Sequence, residues 1–417
     1  MDHSYTYKYH TSYRTRSIEE TLHHAKAYAK RLGISRVTES TYLDNIGVPV
    51  FAGIRPVAVK GSLCVASGKG LRPEEAQAGA YMEAIEQAMA EPEKAGLEII
   101  EALPKQILDG ATRPESILDF CPLSGKEIFA DQAMACVWAD DIATKERLLV
   151  PAQLVFVPFR STPNLSAPFH SSTNGLCSGN SLVEAQIHGI LEVIERDVAS
   201  FLHFNDTAVF IHPNTYSPEL QAIAEKVNAA GLELILRYSQ NEFGTPWFMS
   251  AVIDTDREDP LFFDVGQGCH IDKNIAAIRA VTEAIQSRMV IIHGGRDDMD
   301  KFHSKYENMT YDERRNHFHQ KLIGWRDDRG ALGFDEIVQP PIAFENLTEL
   351  RDQLIAMLAE KGFSRVLNIS FTETDEPLQV CKIIIPGLEN FSMDCHAMGP
   401  RLAAHASKYY DQTFRRT

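Results

Sequence analysis

Ser172 to Ser200 reads STNGLCSGNSLVEAQIHGILEVIERDVAS, a Gly/Ser/Asn loop that runs into a long helix. Ser181 can cap the free N–H groups and Glu184, three residues on, can reach back to the cap, so the spacing predicts a helix from about Leu182. At helical spacing Ala185, His188, Glu192, Glu195 and Ala199 fall on one stripe, while Ile187, Ile190, Leu191 and Ile194 supply an apolar side for a core. Two carboxylates thus sit beside packing surface. Like charges three apart on a helix repel by roughly a few tenths of a kcal/mol, and burial makes this worse. Something cationic must compensate them.

The construction recurs twice. Ser67-Gly68-Lys69-Gly70 leads through Pro73, suited to a first helical turn, into a stripe of Ala76, Gly79, Glu83, Glu86 and Ala90. The step from Gly70 to Glu83 equals that from Gly179 to Glu192. In the third copy, Gly266-Gln267-Gly268 and the cap residue Asp272 precede a stripe of Ala276, Arg279, Glu283, Gln286 and Val290, with the acid pair changed to Glu and Gln. A single E-x-x-E is usually a solvated face. Three at similar offsets, each between apolar neighbours and behind a glycine segment, point to one shared polar pocket that tolerates anions.

A chain of 417 residues exceeds one ordinary core, and 44% hydrophobic with 24% charged residues is the composition of a globular protein. The formal charge of −16 argues against nucleic acid or an anionic membrane as partner. Seven cysteines without a C-x-x-C pair read as free thiols in a reducing cytoplasm. Cys177 reads as a small buried filler, since no flanking motif marks it as activated. The polar start MDHSYTYKYHTSYRTRS lacks the apolar core of a signal peptide, and no later run is long enough to span a bilayer.

Taken in order, residues 1–60 are expected to form an N-terminal helix and strand subdomain, with Ser17 and Glu20 as a capping box and Gly33 closing the helix. Residues 61–400 form the core and 401–417 a tail. Strand and helix patterns alternate, which favours mixed α/β layers over a bundle. The polar run from Gly294 to Gly333 reads as a solvated surface insertion, and Asp297, Asp298 and Asp300 within it, like His303, His317 and His319, lack the setting of a metal site.

These motifs together resemble the YcaO family of ATP-dependent peptide-modifying enzymes. The resemblance runs from SGKG at Ser67 through Gly79-x-x-x-Glu83-x-x-Glu86, Asn174-Gly175, Glu192-x-x-Glu195-Arg196 and Arg279-Ala-x-Thr-Glu283-x-x-Gln286-x-Arg288 to IIIPGLE around Pro386. It implies a YcaO-like α/β fold with three loop–helix units converging on one ATP and Mg2+ site. Carried over by motif, Glu83, Glu86, Glu192, Glu195 and Glu283 would hold magnesium. Arg14, Thr21, Lys69, Asn180, Glu184, Arg196, Arg279, Gln286 and Arg288 would contact the nucleotide. Clustered carboxylates beside a triphosphate repel by roughly several kcal/mol unless hard divalent cations lie between them. Gly79 stands where the family often has Ser, and Cys177 where a small polar residue is common. Lys69 is followed by Gly70, so this is not a Walker P-loop.

The resemblance also implies the chemistry. A nucleophile adds to a peptide backbone carbonyl, the oxyanion takes the γ-phosphoryl group of ATP, and phosphate leaves; no protein nucleophile is required, and no catalytic residue is assigned. A Cys, Ser or Thr of the substrate gives an azoline and external sulfide gives a thioamide. The ending FRRT in place of a proline-rich tail, the lack of a fused leader-binding domain and the RLGISRV…IGVPVF…RP lead look like members that form thioamides with a TfuA-like partner. The alternatives are an azoline-forming cyclodehydratase and a non-catalytic nucleotide-binding scaffold. A homodimer and a cytoplasmic setting complete the expectations.

Overall fold

Three strand–helix pairs set the architecture: Val65–Lys69 runs into Pro73–Met89, Leu176–Gly179 into Leu182–Leu202, and Phe263–Cys269 into Lys273–His293. We call these the first, second and third acidic helices. The computed structural model describes residues 7–9, 11–107, 117–296 and 299–414. Each strand lies at the edge of its own sheet. The first sheet orders Arg36–Glu39, Val50–Ile54 and Val65–Lys69; the third orders Val209–Phe210, Glu233–Ser239, Trp247–Ile253 and Phe263–Cys269. The second runs Ile100–Ala102, Met134–Asp141, Leu367–Ser370, Gln379–Ile384, Leu176–Gly179, with Arg147–Pro151 beside Met134–Asp141. All pairings between these strands are antiparallel.

The glycine segments expected as phosphate-facing loops are largely strand. Their glycines serve another purpose: they let each acidic helix cross its own strand at backbone contact. A Cβ on Gly68 would stand 2.0 Å from Ala76 O, and one on Gly268 would stand 2.1 Å from Ala276 O. The helices answer with small residues at i, i+4 and i+8, namely Ala76, Ala80 and Ala84 in the first and Ala276, Ala280 and Ala284 in the third, all at most 1% exposed. In the second helix Gly189 takes this part against Cys177 Sγ. Larger residues next to these stripes, such as Ile85, Ile190 and Ile278, fill the cores between helix and sheet.

The N-terminal helix Ile18–Arg31 has the expected Ser17/Glu20 capping box. The limit drawn at residue 60 cuts through a sheet, because Val50–Ile54 pairs with Val65–Lys69. The polar lead contains a short hairpin, Tyr7–Lys8 with Tyr13–Arg14. Within the polar stretch 294–333, Tyr311–Trp325 is helical and buries Phe318, Leu322 and Trp325 against the third sheet, so that part is packed structure rather than a solvated insertion. Asp297 and Asp298 lie outside the described residues. The stretch expected as a tail contains the helix Pro400–Phe414, whose Leu402 is fully buried. Among the described residues no helix is long and apolar enough to cross a membrane.

Candidate active site

The acidic helices converge on a cavity of about 540 Å³, within the range of small-molecule sites. Its wall includes every residue assigned to magnesium or nucleotide in the sequence except Arg288. Each unit makes the same hydrogen bond. In the first and third units the first acid of the helix accepts an N–H of the edge strand on its unpaired side, and in the second it accepts that of Gly175, in the turn just before the strand. Ser67 N donates to Glu83 Oε2 at 3.1 Å, Gly175 N to Glu192 Oε1 at 3.1 Å, and Gln267 N to Glu283 Oε1 at 3.3 Å.

The second member of each pair reaches the edge strand of the next unit. Glu86 accepts the hydroxyl of Ser178, Glu195 Oε2 accepts Cys269 N at 2.9 Å, and Gln286 donates to Ser67 O. The three contacts close into a ring. Sequence spacing gave each pair but not its partner strand, since Ser178 and Cys269 carry no signature of this role.

Burial in this ring disfavours charge. It pushes Glu83 and Glu195 above the usual carboxylate range and Glu86 up to about 8, against the opposing effect of the Ser178 hydrogen bond on Glu86. Burial also acts on Glu283, but Lys69 and Arg196 outweigh it and hold that carboxyl low. Lys69 Nζ lies 2.7 Å from Glu283 Oε2, which pairs two residues expected to serve separately as nucleotide contact and metal ligand.

A second network enters from the N-terminus. Glu184 accepts Arg14 Nη1 at 2.9 Å, Thr15 N at 2.8 Å and Asn180 N at 3.2 Å, and Thr21 donates to Asn180 Oδ1 at 2.9 Å. The hairpin and helix before residue 32 therefore carry Arg14 and Thr21 to the cap of the second acidic helix. Arg196 and Arg279 also line the cavity. Arg279 Nε is buried without a hydrogen-bond partner, as a donor kept for an anion would be. His188 lines the wall too, its imidazole held neutral by burial; it lay on the stripe but was not assigned a part.

Arg288 is placed elsewhere. Its Nε bonds Asp44 Oδ2 at 2.8 Å, with Asp264 and Asp254 at 3.8 and 4.0 Å. Two residues beyond Gln286, it stands on nearly the opposite side of the helix. Cys177 is buried, its thiol 3.5 Å from that of Cys381 and driven well above the ordinary thiol range by burial, as befits a filler.

Whether magnesium suits these residues can be judged from the donors. Among the described residues no three His, Cys, Asp or Glu side chains form a closed metal cage. Pairs of carboxylates do face the cavity, and magnesium is commonly bound through one or two carboxylates plus phosphate and water. The cations at Arg14, Lys69, Arg196 and Arg279 give the same cavity the complement for phosphate. The residues fit both groups.

Comparison with known proteins agrees. Residues 67–389 match the YcaO cyclodehydratase family, described as ATP- and Mg2+-binding. An uncharacterized protein of Methanothermobacter thermautotrophicus is 33% identical over 388 residues, covering 92% of this chain and 97% of that one. A protein from the tfuA 3′ region of Rhizobium leguminosarum bv. trifolii is 27% identical, covering 89% of this chain and 87% of its own. Among solved structures, the YcaO of Methanopyrus kandleri bound with AMPPCP and Mg2+ superposes with a TM-score of 0.73 at 22% identity, covering 94% of this chain and 97% of that one. The chain belongs to the YcaO family, an ATP-dependent, peptide-modifying family whose cofactors are ATP and Mg2+.

Proposed function

We propose that this chain activates a backbone amide of a ribosomally made peptide or protein at the expense of ATP, and that with a TfuA-like partner it installs a thioamide. The observation that carries the site is the closed ring of helix pairs, each held by backbone N–H groups of its own unit and tied to the next unit's strand, facing the cationic residues across one cavity. Glu83, Glu86, Glu192, Glu195 and Glu283 would hold magnesium, which when bound neutralises phosphate charge. Lys69, Arg196 and Arg279 supply fixed positive charge. Arg14, Thr21, Asn180 and Glu184 form the adjoining wall for the rest of the nucleotide, and Gln286 orients Lys69. Arg288 has no part. These residues position and neutralise, which is the main demand of phosphoryl transfer.

The choice of thioamide rests on the likeness to the tfuA-region protein. A second reading, azoline formation, is favoured by the family's description as a cyclodehydratase. Mass spectrometry of candidate peptides incubated with enzyme, ATP, Mg2+, sulfide and the partner separates them. Exchange of one oxygen for sulfur supports the first reading and loss of water the second. No binding of ATP with Mg2+ in a calorimetric titration would remove both.

A further inference from the structure

The ring lets the three acid pairs be compared on equal terms, and they differ in charge. Glu83/Glu86 and Glu192/Glu195 have two carboxylates each, whereas Glu283/Gln286 has one. Among the described residues the third pair is distinguished by an ammonium group within hydrogen-bond distance of both its members. Lys69 Nζ lies 2.7 Å from Glu283 Oε2 and 3.1 Å from Gln286 Oε1, spanning the pair from the edge strand of the first unit. Gln286 donates its amide to Ser67 O, which keeps Oε1 toward the ammonium. Glu283 Oε1 is already held by Gln267 N, so both of its oxygens have donors.

The first two pairs are different. One oxygen of each carboxylate is held, for Glu83, Glu86 and Glu195 by a strand residue and for Glu192 by Gly175 in the turn before its strand. Glu195 has Arg196 at 3.9 Å, and Arg296 acts on Glu83. Two carboxylates match a divalent ion, and one carboxylate with a neutral amide matches a monovalent one. We propose that Lys69 is the built-in cation of the third acid pair, standing on Glu283 and Gln286 where a magnesium ion would be held by each of the other two pairs. The inference rests on the nucleotide-binding reading above and reassigns Glu283 from metal ligand to lysine partner. Of the three ammonium donors, two go to Glu283 and Gln286 and one is left for a phosphate oxygen.

The test counts ions on the full chain with a non-hydrolysable ATP analogue, using Mn2+ and electron paramagnetic resonance. The wild-type chain is expected to bind about two Mn2+, one per dicarboxylate pair. Lys69→Ala combined with Gln286→Glu gives the third pair two carboxylates and no ammonium, and the count rises to about three. Lys69→Met leaves the count alone and weakens the analogue about tenfold, a loss that Lys69→Arg partly restores. A wild-type count of three, or a double variant that binds the analogue yet stays at two, overturns the proposal. Should the double variant not fold, Lys69→Ala decides: affinity restored by methylammonium supports the built-in cation, and no restoration overturns it. A wild-type chain that takes up neither Mn2+ nor analogue overturns the nucleotide-binding reading itself, and the lysine assignment with it.

Discussion

The third acidic helix divides two clusters of carboxylates. On one face Glu283 looks across the cavity toward Glu83, Glu86, Glu192 and Glu195; on the other, Asp44, Asp254 and Asp264 close around Arg288. The first cluster anchors its acids through backbone N–H groups and the Ser178 hydroxyl and leaves them facing a cavity with room for ions and a nucleotide. The second supplies its cation from its own chain, and Arg288 is 6% exposed. Acid content alone therefore does not define a site. What distinguishes them is whether all of the compensating charge is covalently part of the protein, as around Arg288, or only part of it, as where Lys69 serves Glu283 and the other acids face the cavity.

Arg288→Met is the most severe way to break the comparison. It leaves the Asp44 carboxylate without the guanidinium 2.8 Å away, and urea unfolding should show a loss of about 3–5 kcal/mol. Nucleotide affinity of the folded fraction should stay unchanged in calorimetry; a loss would mean that Arg288 serves the site after all. Glu195→Gln should do the reverse. It removes a cavity carboxylate, so metal-dependent ATP affinity should fall about tenfold or more, with stability within about 1 kcal/mol of wild type.

Protons offer a gentler probe. Burial raises Asp264 to about 8, against the opposing pull of Arg288 and Lys321 and with the aid of Asp44 and Asp254. The folded chain then keeps a proton that the unfolded chain has lost between about pH 4 and 8, so stability falls as pH rises across that window, by at most about 1.4 kcal/mol per unit for this group. Asp264→Asn should flatten the slope in denaturation curves taken at several pH values. An unchanged slope would show that Asp264 does not retain the proton. The smallest effect is expected for Glu86→Gln without metal at neutral pH. Glu86 is already held largely protonated, so an amide should alter the melting free energy by less than about 1 kcal/mol while still weakening metal uptake.

Much of this was legible because it is local. The E-x-x-E stripes, the caps at Ser17, Ser181 and Asp272 and the order of the three units are short-range patterns that fall where the spacing put them, except that Glu184 turns to Arg14, Thr15 and Asn180 instead of closing a capping box with Ser181. Arg288 was misplaced although the geometry was available, since two residues beyond Gln286 is nearly half a turn. The glycine segments hid as strands because edge strands rich in glycine show no clean alternation. Phe318, Leu322 and Trp325 have helical spacing, but the surrounding charge masked them. The pairing of Lys69 with Glu283 joins residues 214 apart, and nothing in the linear chain announces it.

The closed circuit from Glu86 to Ser178, Glu195 to Cys269 and Gln286 to Ser67 means that no sector of the cavity can shift alone. Damage to one junction loosens the footing of the next, so paired substitutions at different junctions should not simply sum. Tolerance to sequence drift would then be set by the weakest of three seams rather than by their average.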